Sequence, residues 1–359
     1  MALAGSSDGA NETSAAKPAP APSPPPTSTA TSKAPAKTAR HWRVLRNALV
    51  SRTRDEASDS TASSLSTEFF PQFASESCEK TSTVQPAAVN FEWHKYAITK
   101  GDVCKRVFVH EKKKCQTVSL AELFSHKLNN GVDNTGNIRT WPSEQILLSY
   151  MLKQQTCRSL AAMKGSPIVC CELGAGMAGL ASLGLMAHNG DSIQQMLVTD
   201  GNPQSVENLK LCIKVNTSHG IVPASPPSSV QAELLRWDRS TAFPPSKRHQ
   251  FDLLFASDCL FFEDFHEDLA YTLKELLKPS TGVCFLLQPS RNGSMERFCT
   301  IAASPRHALQ VRVVRDYDPE ITRKHKAFQA SHHSEYVPDV HFPVLLEVRA
   351  PQAVENVKN

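Results

Sequence analysis

No run of 18 apolar residues occurs in the 359-residue chain, so no membrane-spanning helix is expected. The N-terminus has no apolar core of a secretory signal. Ten cysteines are present, yet none forms a C-x-x-C pair or joins histidines at metal spacing. They read as reduced thiols of a cytosolic-type compartment, with no metal site. Net charge is also scarce. Of the +4, residues 1–60 carry +3, from eight basic and five acidic side chains. The remainder is nearly neutral and shows no nucleic-acid footprint. Sequons at Asn11, Asn216 and Asn292 carry no meaning in a chain that is not secreted.

Residues 1–40 hold seven prolines and almost no large apolar residues, so they cannot bury enough surface to offset chain entropy. Their Ala/Ser/Thr/Pro bias loosely resembles an organelle transit peptide. Asp8 and Glu12 argue against that, and a disordered tail of a cytoplasmic or nuclear protein is the expectation. The tail runs to 66 and includes a short basic amphipathic helix at 41–50, with Trp42, Leu45 and Leu49 on one face. A β-rich extension at 67–130 follows, with strands around Phe91–Ile98 and Val103–Val109 and a turn at Lys100-Gly101-Asp102. Ser119 and Glu122 fit a capping box. Pro142 fits the first turn of a helix whose apolar face is Ile146, Leu147, Tyr150 and Met151.

From Ile168 strands and helices alternate through a main domain at 131–350, with a short tail at 351–359. Strands are predicted at 168–173, 196–200, 230–235, 251–257, 283–288, 309–314 and 342–348. Runs such as Phe251–Ala256 are apolar throughout, as in a parallel sheet covered on both faces. The last two strands are separated by about 27 residues read as having little helix, which suits an antiparallel strand inserted at the end of the sheet. The fold class is α/β, Rossmann-like and seven-stranded, expected as a monomer.

The first strand ends in Glu172-Leu173-Gly174-Ala175-Gly176-Met177-Ala178-Gly179. The glycines satisfy G-x-G-x-x-G and let the backbone turn sharply beside a ligand. Two cofactor classes fit. In a nicotinamide enzyme the following helix N-terminus faces a pyrophosphate. In an S-adenosylmethionine enzyme the same turn passes the amino-acid and ribose parts. Glu172 favours the second, since a carboxylate attracts the methionine ammonium and repels a pyrophosphate. Asp200 ends the second strand, where it accepts ribose hydroxyls in either class, and Asn202 follows it. Trp237 offers an apolar face to adenine and Asp238 an acceptor for its amino group. Ser257 closes the fourth strand on the same rim. Blander readings stand beside these: Glu172 as a helix N-terminus partner, Trp237 as a core aromatic.

Asp258 follows that fourth strand and is the candidate for the acceptor site, with an N-cap as its plainer role. A carboxylate there holds an incoming lysine ammonium, while apolar walls from Phe261 and Phe262 lower its pKa. Cation–π contact and plain packing are further readings of the two rings. Tyr317 and Asp318 are expected to shape the acceptor channel or to form a surface turn. The run Arg323-Lys324-His325-Lys326 is placed in a loop before the last strand.

Several blocks are familiar together: Asp133-Asn134-Thr135-Gly136-Asn137, Trp141-Pro142-Ser143-Glu144, Cys171-Glu172-Leu173-Gly174, Leu197–Asn202, Leu235-Arg236-Trp237-Asp238, Asp258-Cys259-Leu260-Phe261 and His341–Leu346. In these the chain resembles the calmodulin-lysine N-methyltransferases, within the seven-β-strand protein-lysine methyltransferases. The resemblance runs from about Arg40 to Val348. It implies a class I methyltransferase sheet, S-adenosyl-L-methionine as cofactor, and calmodulin as the protein substrate, trimethylated at one lysine. It implies that Trp141 helps enclose the cofactor and that Asp258 to Phe261 form an Asp-x-x-aromatic motif. Others in the wider group methylate different proteins.

Overall fold

The computed structural model describes residues 69–78, 91–113, 140–224, 228–333 and 336–350. The expected helix at 41–50, the Ser119–Glu122 capping box, the Asp133–Asn137 block and the whole of both tails lie outside the described residues.

Two sheets form the frame. In the smaller, β1 (Ala74–Ser77), β2 (Phe91–Lys100) and β3 (Val103–Lys112) pair antiparallel in that order, and β2 and β3 turn at Gly101-Asp102 as expected. Next come α1 (Pro142–Lys153) and α2 (Thr156–Lys164), separated where Gln155 takes a left-handed φ of 51°. The main sheet comprises β4 (Ile168–Leu173), β5 (Ile193–Asp200), β6 (Ser229–Leu234), β7 (Leu253–Ser257), β8 (Val283–Pro289), β9 (Gln310–Val314) and β10 (Pro343–Arg349). Its helices are α3 (Leu180–Asn189), α4 (Pro203–Ser218), α5 (His266–Leu276), α6 (Ser294–Ala302), α7 (Pro319–Ala330) and α8 (Pro338–His341).

The seven strands lie in the order β6-β5-β4-β7-β8-β10-β9. The first five are mutually parallel, and β10 runs antiparallel between β8 and β9. The order reverses between β4, paired to β5, and β7, and a parallel sheet takes its ligands at the carboxyl ends beside such a reversal. Cys170, Leu253, Leu254, Phe255, Leu286 and Leu287 are buried at the centre, so both faces are covered.

Helix α4 closes the open edge of β3 through side chains. Asn216 Oδ1 accepts the Phe108 amide at 2.9 Å while its Nδ2 donates to the Phe108 carbonyl at 2.7 Å, as a neighbouring strand would. Asn208 Nδ2 donates to the His110 carbonyl at 2.9 Å and its Oδ1 lies 2.6 Å from His110 Nδ1. The small sheet is thereby fixed to the main one, and its edge cannot pair elsewhere. The sequon asparagine Asn216 is fully buried by this role.

Two local readings are corrected. The connector between β9 and β10 carries the 12-residue α7, started by Pro319 and capped by Asp318, whose Oδ1 accepts the Glu320 and Ile321 amides. The basic run Arg323–Lys326 therefore sits on a helix rather than in a loop. Neither β1 nor α2 was anticipated. Phe69 and Phe70, ahead of β1, are buried against Phe328 of α7 and Tyr336. Among the described residues no helix is long and apolar enough to cross a membrane, and no group of three or more His, Cys, Asp or Glu could hold a metal ion.

Asn216→Ala leaves the buried Phe108 amide and carbonyl without partners. Urea unfolding is expected to show a loss of about 2 kcal/mol or more; a loss below about 0.5 kcal/mol would place the join between the sheets elsewhere.

Candidate active site

The carboxyl ends of β4, β5 and β7 meet at the glycine turn. Gly174 and Gly179 have φ of 65° and 57°, a region that favours glycine. A Cβ on Gly174 would lie 3.1 Å from Cys259 Sγ and 3.3 Å from Trp237 Cζ2. The turn is thus in close contact with the indole after β6 and the thiol after β7, and Gly174, Trp237 and Cys259 form one wall. The Cys259 thiol lies near the Leu173 and Ser257 carbonyls, at 3.5 and 3.4 Å, and burial keeps it protonated.

The turn delivers the chain into α3, whose first amides are taken by two carboxylates. Glu172 accepts Ser182 N at 3.2 Å and Ser182 Oγ, and Glu144 on α1 accepts Ala181 N at 3.0 Å. Both are almost fully buried. Negative charge at a helix N-terminus is favourable, but burial and mutual repulsion oppose ionisation. Burial lifts Glu172 to about 7, against the pull of Ser182, and Asp200 adds to the rise. Burial first, and Glu172 second, raise Glu144 well above the usual carboxylate range. The helix end that would face a pyrophosphate is therefore already filled by acid side chains.

Asp200 ties the turn to the next loop: Oδ2 accepts Gly176 N at 2.9 Å and Oδ1 accepts Asn202 N at 2.8 Å. Asn202 caps α4, its Oδ1 accepting Gln204 N at 2.8 Å. Asp238, expected to meet adenine, folds back into its own turn, accepting from Ser240 N, Ser240 Oγ and Thr241 Oγ1. Ser257 stands at the end of β7, its carbonyl beside Cys259.

Trp141 is the half-buried N-cap of α1 and has an anchor on each side. Before it, Thr140 donates its amide (3.0 Å) and hydroxyl to Glu111 of β3, which also accepts the Tyr96 hydroxyl at 3.1 Å. After it comes Glu144, held at α3. The small sheet thus fixes the segment that carries Trp141.

On the other side of Cys259, Asp258 has a left-handed φ of 52° and faces Arg291 from the loop after β8. Arg291 Nε donates to Asp258 Oδ1 at 2.9 Å and Nη2 to Oδ2, while the guanidinium carbon lies 5.1 Å from the centre of the Phe261 ring. Phe262 meets Phe261 edge-on. The carboxylate offered by the sequence as a seat for ammonium already holds a guanidinium, and no N-cap bond is made. Tyr317 is a correction: its ring is buried edge-on against Tyr150, its hydroxyl has no hydrogen-bond partner among the described residues, and burial raises its pKa well above the ordinary value. It is core beneath the rim rather than a channel wall. Asp318 caps α7 and pairs with Lys153 at 2.7 Å.

Sequence reasoning missed Glu144, Cys259 and Arg291. Glu144 carried a signal, a carboxylate on the apolar side of a helix; Arg291 carried none.

A family model described as lysine methyltransferase matches residues 126–304. The chain is 30% identical over 297 residues to the calmodulin-lysine N-methyltransferase of Arabidopsis thaliana, covering 81% of this chain and 89% of that protein. Among solved structures, a plantazolicin methyltransferase in complex with a pentazolic desmethylPZN analogue and SAH is 12% identical, with a TM-score of 0.37 over 58% of this chain and 86% of that one. The geranyl diphosphate C-methyltransferase of Streptomyces coelicolor is 13% identical, with a TM-score of 0.35 over 59% and 84%. Nothing about this chain rests on likenesses of that size.

The raised pKa of Glu172 has a definite sign. The fold favours its protonated form, so this contribution to stability is full below 4.5 and is lost as pH rises through about 7. Melting from pH 6 to 8 is expected to show Glu172→Gln gaining about 1 kcal/mol on the unaltered protein across that interval. Parallel curves for the two proteins would mean that Glu172 does not titrate there.

Proposed function

The chain belongs to the lysine methyltransferase family, and from that premise we propose that it transfers methyl groups from S-adenosylmethionine to the side-chain amine of a lysine in calmodulin. The methyl donor is S-adenosylmethionine. The carboxylates and the close wall of the site fit it: Glu172 stands where a cationic methionine end is favoured, Asp200 where ribose hydroxyls are accepted, and Gly174 with Trp237 leaves a surface that a Cβ would spoil. It supplies a methyl group on a sulfonium. The protein's part is to hold the acceptor amine in line with that methyl, with its lone pair free. We assign this to the turn after β7, where Asp258 and Phe261 offer a carboxylate and an aromatic face.

The observation that carries the calmodulin reading is the likeness to the Arabidopsis protein, which spans most of both chains. Incubation with labelled cofactor and recombinant calmodulin is expected to label one lysine, and intact-mass measurement counts the methyl groups. Absence of label with cofactor binding intact would overturn calmodulin as the substrate. Asp258→Ala is expected to retain cofactor affinity and lose about 100-fold in kcat, whereas Asp200→Ala is expected to weaken cofactor binding. Full activity in Asp258→Ala would remove Asp258 from the acceptor site.

A further inference from the structure

Methyl transfer requires a neutral amine, and a lone carboxylate is a poor seat for one. An opposite charge within ~4–6 Å favours the ionised form of a group. Asp258 alone would hold a lysine as ammonium, with no lone pair to attack. The Asp258–Arg291 pair changes that balance. Its side chains are only 11% and 12% exposed, so solvent screens it little. The pair is also built in. Asp258, Arg291, Asn292 and Gly293 all have positive φ, of 52°, 49°, 63° and 82°. Asp339 of α8 fixes the loop, its carbonyl accepting Arg291 N at 2.9 Å and its carboxylate accepting Asn292 N at 2.6 Å. Arg291 and Asn292 are consecutive non-glycine residues at left-handed φ, a conformation that persists only where the surroundings hold it, and such strain gathers at functional sites.

We propose that Arg291 is a positioning residue of the acceptor site: by pairing with Asp258 it cancels the charge there, so that the lysine is oriented by hydrogen bonding yet arrives as the free amine. This rests on the placing of Asp258 at the acceptor site above. The lysine ammonium gives its proton to solvent on entry. The amine lone pair then forms the N–C bond as the C–S bond breaks with its electrons to sulfur, and the methylammonium product is left. Stacking of Arg291 on Phe261 holds the guanidinium in place while the carboxylate keeps further lone pairs for the amine N–H. The other charged or titratable groups around this corner include Glu172, lifted to about 7 by burial, and Asp200, both of whose charges reach Cys259; Cys259 itself, held protonated by burial; Asp339; the Glu263–Arg297 pair, whose arginine also donates to the Asn292 carbonyl at 3.1 Å; Glu296, bound by Ser290 and paired with Arg315; and His266, whose pKa burial lowers, so the midpoint of every variant is read against that of the unaltered protein, in which Glu172 and Asp200 are the same.

The test is the pH profile of calmodulin methylation by the full chain, with melting and S-adenosylhomocysteine binding recorded for every variant. Arg291→Met is expected to move the midpoint of log kcat up by about one pH unit. At pH 7 that lowers kcat about tenfold, while the KM for calmodulin falls because the charged lysine is held more tightly. Arg291→Lys keeps the charge and the midpoint. Asp258→Asn moves the midpoint the other way, and it decides the matter if Arg291→Met fails to fold. Loss of kcat by one factor at all pH values, with midpoints unmoved, would overturn the proposal and leave Arg291 a structural clamp. If the unaltered protein labels no lysine, the substrate reading fails instead; if Asp258→Asn is as active as the unaltered protein at all pH values, the acceptor-site placing fails.

Discussion

Two carboxylates at the start of α3 are the interaction on which the site depends. A helix leaves its first amides without partners, and here Glu144 and Glu172 take those of Ala181 and Ser182. Glu172 comes from β4 and Glu144 from α1, so a single helix end joins the central strand, the glycine turn and the segment bearing Trp141. The same contact decides what the turn is for. A pyrophosphate needs free amides at the helix end, and these acid side chains take two of them. A ligand with a cationic end meets the opposite situation, since a carboxylate lifted to about 7 by burial gains from a positive neighbour.

The rest of the rim is arranged around that point. Asp200 clamps the glycine turn from β5, Trp237 and Cys259 together close on Gly174, and Asp258, one residue before Cys259, pairs with Arg291. Behind it, the small sheet is an integral support. Asn208 and Asn216 tie β3 to α4, and Glu111 of β3 holds Thr140 next to Trp141.

Much of this was legible in the sequence because it is local or periodic. The apolar strands and the hairpin at Gly101 follow from patterning. The antiparallel last strand was expected and is present, although the connector from which it was expected, read as having little helix, holds α7 and α8. The run from Glu172 to Gly179 is contiguous and carries its own chemistry. Arg291, in contrast, lies 33 residues from Asp258 and reaches it only through the strand order. Glu144 stood in the sequence only as the last residue of the Trp141–Glu144 block, and the packing of α1 on α3 is what brings it to Ala181. Tyr317 was misread because a residue after a strand end is on the rim only if its side chain points outward; this one points into the core. The helix α7 was overlooked for want of an apolar stripe, since among its residues only Ile321 is buried.

The central claim is that acid side chains at the α3 N-terminus commit the glycine turn to a sulfonium cofactor. Calorimetric titration of the full-length protein with S-adenosylhomocysteine, and separately with NADH at the same concentrations, tests it most directly. The account predicts saturable binding of S-adenosylhomocysteine and none of NADH. Saturable NADH binding without S-adenosylhomocysteine binding would contradict it.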